Sequence, residues 1–136
     1  NLPRAMPKSA RAPPGPGRSS RAMAIVHIAI FDTVNAVDRR YHSYTGVQSY
    51  QHPLSLIAAV AQSAHDTLVA LFPSQTAAFN ARLAEDLARV HNPNERANGI
   101  DLGGRVAAAI LALLDKARVN RQSPWKGATG KASKGK

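Results

Sequence analysis

Cysteine is absent from the 136-residue sequence, so neither a disulfide framework nor a thiolate metal site is available. The redox compartment therefore stays open. Long apolar runs are also lacking, because Arg105 interrupts the best candidate and the purest run, residues 106–114, is too short. A membrane-spanning helix needs roughly 18–20 apolar residues. We therefore predict a soluble protein with no membrane span.

The start of the sequence lacks an initiator Met and the charged-then-apolar pattern of a signal peptide. We expect the chain to be a fragment from which a targeting segment could be missing. The sequence therefore leaves the cellular compartment open.

Acidic residues are missing from both ends of the chain. Residues 1–21 carry five basic side chains and no acid, and residues 116–136 carry seven basic side chains and no acid. The stretch between them holds six arginines against all eight acids, which gives it a net charge of −2. The formal charge of +10 thus belongs to the ends and not to the body of the protein.

Apolar residues recur at helical spacing in four segments, and the sequence predicts an all-α fold of four main helices. Residues 19–118 form the predicted helical domain. A Pro- and Gly-rich basic leader, residues 1–18, and a basic tail, residues 119–136, are both expected to be disordered.

The first predicted helix begins at a capping serine, Ser19 or Ser20, and runs to about Asp38. It is apolar on nearly every face from residue 22 to residue 31, and helices of this kind lie inside larger bodies. We therefore expect this helix to be buried, with more protein around it than 136 residues easily supply. The predicted apolar face consists of Met23, Val26, Ile30, Val34 and Val37. A polar stripe, Asp32, Asn35 and Arg39, is expected to form hydrogen bonds with a neighbouring helix.

A connection over residues 39–52 contains Tyr41, Tyr44 and Tyr50. It is long for a link between helices, so we expect tyrosine packing to order it. The second helix is predicted to begin at Pro53, where the missing N–H is tolerated, and to end at Pro73.

The third predicted helix follows Ser74 and is amphipathic and partly exposed. The fourth is predicted to start with Asn92 as the N-cap, Pro93 at the first helical position and Glu95 completing a capping box. It should run to about Ala117. Three glycines interrupt it, each costing about 1 kcal/mol relative to alanine, which indicates close approach of another helix: Gly99, Gly103 and Gly104.

Histidines are the first candidates for a metal or catalytic site. None of the five pairs with another at the spacing that places two ligands on one helical face. His65 and Asp66 are neighbours on a helix and should point about 100° apart, which argues against a preformed catalytic pair. We interpret His65 as a helix-packed residue whose ring N–H donates to a carbonyl. We predict no catalytic, cofactor-binding or metal-binding residue among the five: His27, His42, His52, His65 and His91.

Nucleic acid is a second possible partner. The three tyrosines lie near Arg39, Arg40 and His42, an aromatic-plus-basic composition typical of single-strand binding. The Lys-rich tail could also neutralise phosphates without folding. The alternative function is therefore a helical interaction module whose basic tails bind nucleic acid or an acidic partner.

Three segments of the chain are similar to a known family. GRSSRAMAIVHIAIFDTVNAVDRRYHSY, AAVAQSAHDTLVALFP and NERANGIDLGGRVAAAILALL occur in that order within residues 15–117. Together they resemble the N-terminal helical half of vanadium-dependent haloperoxidase-related proteins, which share an all-α fold with phosphatidic-acid-phosphatase-type acid phosphatases. The resemblance implies a partial bundle of this haloperoxidase and acid-phosphatase type.

The resemblance also implies where the chemistry resides. In this family a vanadate or phosphate site is built from three motifs of the second half: Lys and Arg before Pro, then Pro-Ser-Gly-His, then Ser-Arg with a downstream His and Asp. The present sequence contains no Pro-Ser-Gly-His, and its nearest string is Pro73-Ser74-Gln75-Thr76. Vanadate is thus implied for intact relatives and no cofactor is expected in this chain.

A partial imitation of the third motif occurs in the first helix, where Ser20-Arg21 is followed by His27 and Asp32. The family places Asp four residues after His, whereas here it comes five after, which rotates Asp32 by about 140° from His27. We interpret His27 as a buried helix residue without a catalytic role. The predicted partner is the missing C-terminal half of the fold, or a second copy of the chain bound through apolar helix faces.

Overall fold

The computed structural model describes residues 16–38, 42–48 and 50–122. This part of the chain contains four α-helices and no strand. They are α1 (Pro16–Val37), α2 (Leu56–Leu71), α3 (Thr76–Ala88) and α4 (Pro93–Gln122), with a short 3₁₀ turn (Pro73–Gln75) between α2 and α3. The predicted all-α fold with four main helices is confirmed. The expected disorder of the leader and tail is wrong for residues 16–18 and 119–122, which are helical, and the rest of both segments lies outside the described residues.

Two helix starts differ from the prediction. Helix α1 begins at Pro16, so that both candidate serine caps lie inside its first turns. Helix α2 begins at Leu56 instead of Pro53, because Ser55 is the N-cap and its side chain accepts a hydrogen bond from the Ala58 N–H at 3.2 Å. A serine cap satisfies an otherwise free amide of the first turn, which fixes the start of α2.

Helix α4 begins as predicted and ends later. The Asn92 side-chain oxygen accepts from the backbone N–H groups of Asn94 and Glu95, at 3.0 and 3.1 Å. The helix continues to Gln122, so the predicted tail boundary at residue 119 falls inside it. Residues 116–122 contain no Gly or Pro and favour helix.

Glycines of α4 allow it to lie directly against α2. A Cβ on Gly99 would come within 2.6 Å of the Ser55 carbonyl oxygen, and one on Gly103 would overlap the Ala59 carbonyl oxygen. Successive contacts advance along both helices in the same direction, so α2 and α4 run parallel. The predicted close approach is confirmed at these two glycines, whereas a Cβ on Gly104 would meet only Asp66, at 3.7 Å.

Alanines supply the contribution of α1 and α2 to the core cluster where α1 packs on this pair. The core cluster takes alanines from α1 and α2 and larger aliphatic residues from α4: Ala29, Ala36, Ala59, Leu102, Val106 and Ile110. Close-packed alanines bring the helix backbones near each other, so only a narrow face of α1 is covered.

The buried face of α1 is not the predicted one. Val26 is buried, but Met23, Val34 and Val37 are 44%, 39% and 47% exposed. The face turned to the other helices is instead small and polar, consisting of Ala22, Val26, Ala29, Asp32, Thr33, Asn35 and Ala36. The four helices therefore bury α1 only in part, and the expected burial by further protein stays a prediction.

Candidate functional site

Asp32 is the most completely buried charged residue of α1, at 1% exposure, and it orders the segment that follows the helix. Its carboxylate accepts hydrogen bonds from the Ser43 hydroxyl at 3.0 Å and from the backbone N–H groups of Tyr44, at 3.0 Å, and Thr45, at 2.6 Å. The predicted hydrogen bonds of Asp32 to a neighbouring helix are thus replaced by bonds to this connection. A carboxylate with three donors inside the protein is a structural anchor, and both its oxygens are already engaged.

Of the other two residues of the predicted polar stripe, only Asn35 lies in the described part of the chain. Asn35 is buried at 6% exposure on the same side of α1. Arg39 lies outside the described residues.

Tyr50 joins the end of α1 to the start of α4. Its backbone N–H donates to the Ala36 carbonyl at 3.2 Å. Its hydroxyl donates toward the Asn98 side-chain oxygen at 3.3 Å and toward an Asp101 carboxylate oxygen at 3.4 Å. Burial raises the pKa of the Tyr50 phenol above its ordinary value of 10.0, and Asp101 raises it further, while Arg105 lowers it. The phenol therefore acts as a neutral hydrogen-bond donor.

Tyrosine packing orders the connection only in part. Tyr50 packs against the core, as predicted. Tyr44 is 63% exposed and meets Phe31 edge-on, with 5.8 Å between the ring centroids. Tyr41 lies outside the described residues, as do Arg39 and Arg40, so the proposed aromatic-and-basic nucleic-acid surface is described only at Tyr44, Tyr50 and the exposed His42.

His65 and Asp66 form a direct contact, although the sequence argument expected their side chains to point about 100° apart. The His65 Nδ1 and Asp66 Oδ1 atoms are 2.7 Å apart, and the same carboxylate oxygen accepts from the Gln62 amide at 2.8 Å. The expected divergence of about 100° applies to the Cα–Cβ directions. Rotation about the side-chain bonds of adjacent residues still brings the two polar ends together.

The second ring nitrogen of His65 is also occupied. Its Nε2 lies 2.7 Å from Oδ1 of Asn80, which projects from α3. In a catalytic histidine–carboxylate pair this nitrogen faces a nucleophile or substrate. Here it instead contacts the side-chain carbonyl oxygen of Asn80 and joins α2 to α3, so a carbonyl partner of the expected kind is present. The absence of a catalytic role for His65 stays a prediction.

His27 and Asp32 do not come together. His27 lies on the exposed side of α1, whereas Asp32 is buried on the opposite side. The interpretation of His27 as a buried residue is therefore wrong. Its separation from Asp32 agrees with the rotation calculated from the five-residue spacing.

Metal-binding side chains are not clustered in the described part of the chain. Within residues 16–38, 42–48 and 50–122, no group of three or more histidine, cysteine or acidic residues is placed to hold a metal ion. His42, His52 and His91 are exposed, and His52 meets Tyr50 edge-on at a centroid distance of 5.7 Å.

Two of the described helices are long and apolar enough to cross a membrane by length and composition, Gly17–Val37 and Pro93–Asn120. The sequence argument had dismissed the second of these because Arg105 interrupts it, and had found no apolar run long enough elsewhere. Core helices of soluble proteins pass the same test, and parts of both helices are buried in the bundle. The expectation of no membrane span stays a prediction.

Comparisons of the chain with protein-family models, with curated proteins and with solved structures found no match. The haloperoxidase resemblance thus remains an inference from the three sequence segments.

Proposed function

We propose that this chain is the N-terminal scaffold portion of a vanadium-dependent haloperoxidase-like, or related acid phosphatase-like, protein. Its role is to support a vanadate or phosphate site that a second half of the fold supplies. The proposal is supported by the order of the three family-like segments and by the large apolar surface that the four helices leave uncovered on α1.

The exposed apolar stripe of α1 is the observation that carries the proposal. It consists of Met23, Phe31, Val34 and Val37, which are 44%, 37%, 39% and 47% exposed. At 100° per residue these positions fall within an arc of about 120° on one side of the helix. Burying one such side chain fully is worth about 1.5–3 kcal/mol, so a stripe of four favours a covering partner.

Tyr44 extends this stripe beyond the helix. Its ring stands edge-on to Phe31, and Asp32 holds its backbone in place through the Tyr44 N–H. The stripe and Tyr44 together form a surface on which helices of a second half would pack. Contiguous exposed apolar patches are typical of protein–protein interfaces.

Active-site chemistry would then come from the second half. Catalysis of either reaction requires positive groups and donors aimed at the oxygens of an oxyanion. In the described residues the polar clusters around Asp32, Tyr50 and His65 are occupied by internal contacts. We therefore expect the chain alone to be inactive.

Activity assays test this directly. The purified chain is assayed for peroxide-dependent bromide oxidation with added vanadate, and for hydrolysis of a phosphate monoester. We expect no turnover by the purified chain and no difference between it and a His27→Ala variant, because Asp32 is buried on the opposite side of α1 from His27. Turnover that His27→Ala abolishes while the matched His91→Ala variant retains it would contradict the proposal.

A further inference from the structure

We draw no further inference here: the strongest candidate, the exposed apolar stripe of α1, is already assigned to the proposed second half, and nothing in the structure shows what else covers it.

Discussion

At the scale of single residues, Asp32 contributes most to holding the α1–α2 connection in place. Both carboxylate oxygens accept, Oδ1 from the Tyr44 N–H and Oδ2 from Ser43 and the Thr45 N–H. In an Asp32→Asn variant, either orientation of the amide would turn its NH₂ group toward a backbone donor. Hydrogen bonds to charged groups are worth about 1.5–3 kcal/mol, so we expect a loss of roughly 2–3 kcal/mol in the free energy of unfolding.

Denaturant unfolding followed by circular dichroism measures this loss. Ser43→Ala is the control: it removes one of the three donors and leaves the carboxylate bound to two backbone groups, and it also removes the acceptor of the Gly46 N–H. An Asp32→Asn variant no less stable than Ser43→Ala would show that the carboxylate does not anchor the connection.

The raised pKa of Tyr50 predicts that the protein loses stability at alkaline pH. Its pKa is raised in the folded protein, mainly by burial and then by Asp101, so folding favours the neutral phenol. The resulting stability is present below the ordinary pKa of 10.0 and is lost as the pH rises through the raised value. The stability advantage of the wild type over Tyr50→Phe should therefore shrink above about pH 10.

Unfolding free energies of the wild type and Tyr50→Phe, measured from neutral to strongly alkaline pH, test the direction of this pH dependence. Comparison with Tyr50→Phe cancels the titration of lysines and of the other tyrosines. An advantage that grows with pH would mean that the phenolate is the favoured form in the fold.

At the scale of elements, the contact between α2 and α4 decides the architecture. A Cβ on Gly103 would overlap the Ala59 carbonyl oxygen and come within 2.8 Å of the Gln62 Cβ and 2.9 Å of the Ser63 nitrogen. Backbone atoms cannot move aside without separating the helices. We expect Gly103→Ala to destabilise the protein by about 1–3 kcal/mol, the usual cost of overpacking.

Gly104→Ala is the matched control on the same helix. Its nearest neighbour would be a side-chain oxygen of Asp66 at 3.7 Å, an ordinary contact. Alanine is favoured over glycine inside a helix by about 1 kcal/mol, so this variant should be equally stable or more stable in thermal and denaturant unfolding. Equal losses at both positions would contradict the close approach of α2 at Gly103.

Sequence periodicity predicted the helices better than it predicted their faces. Asn92 and the helix-lining glycines carry local signals, a capping pattern and a propensity cost, and both predictions hold at Asn92, Gly99 and Gly103. In α1 nearly every position is apolar, so periodicity could not distinguish the buried face. The packing of alanines against α2 and α4 selected it, and left Met23 outside.

Polar clusters were harder still to predict. The His65–Asp66 contact depends on side-chain torsions, and Asn80, which contacts the other ring nitrogen of His65, comes from another helix. Asp32 has its partners 11 to 13 residues later in a connection without regular structure. The Ser-Thr pair at Ser43 and Thr45 was the only local signal for that arrangement.

At the scale of the whole molecule, the four helices form an incomplete unit in the proposed account. Their shared core combines alanines of α1 and α2 with larger aliphatic residues of α4, while Met23, Val34 and Val37 of α1 are partly exposed. Four of the exposed apolar side chains lie on one side of α1, and in the proposed account further helices pack there. The proposed second half would bury that side and supply the oxyanion motifs.

The most direct test of this account is the nucleotide sequence of the locus beyond codon 118, read in all three frames. The account predicts, within a few hundred codons, Lys and Arg before Pro, a Pro-Ser-Gly-His motif and a Ser-Arg with its downstream His and Asp, in that order. A downstream sequence without a Pro-Ser-Gly-His equivalent in any frame would contradict the proposal that this chain is the scaffold of a haloperoxidase-like enzyme.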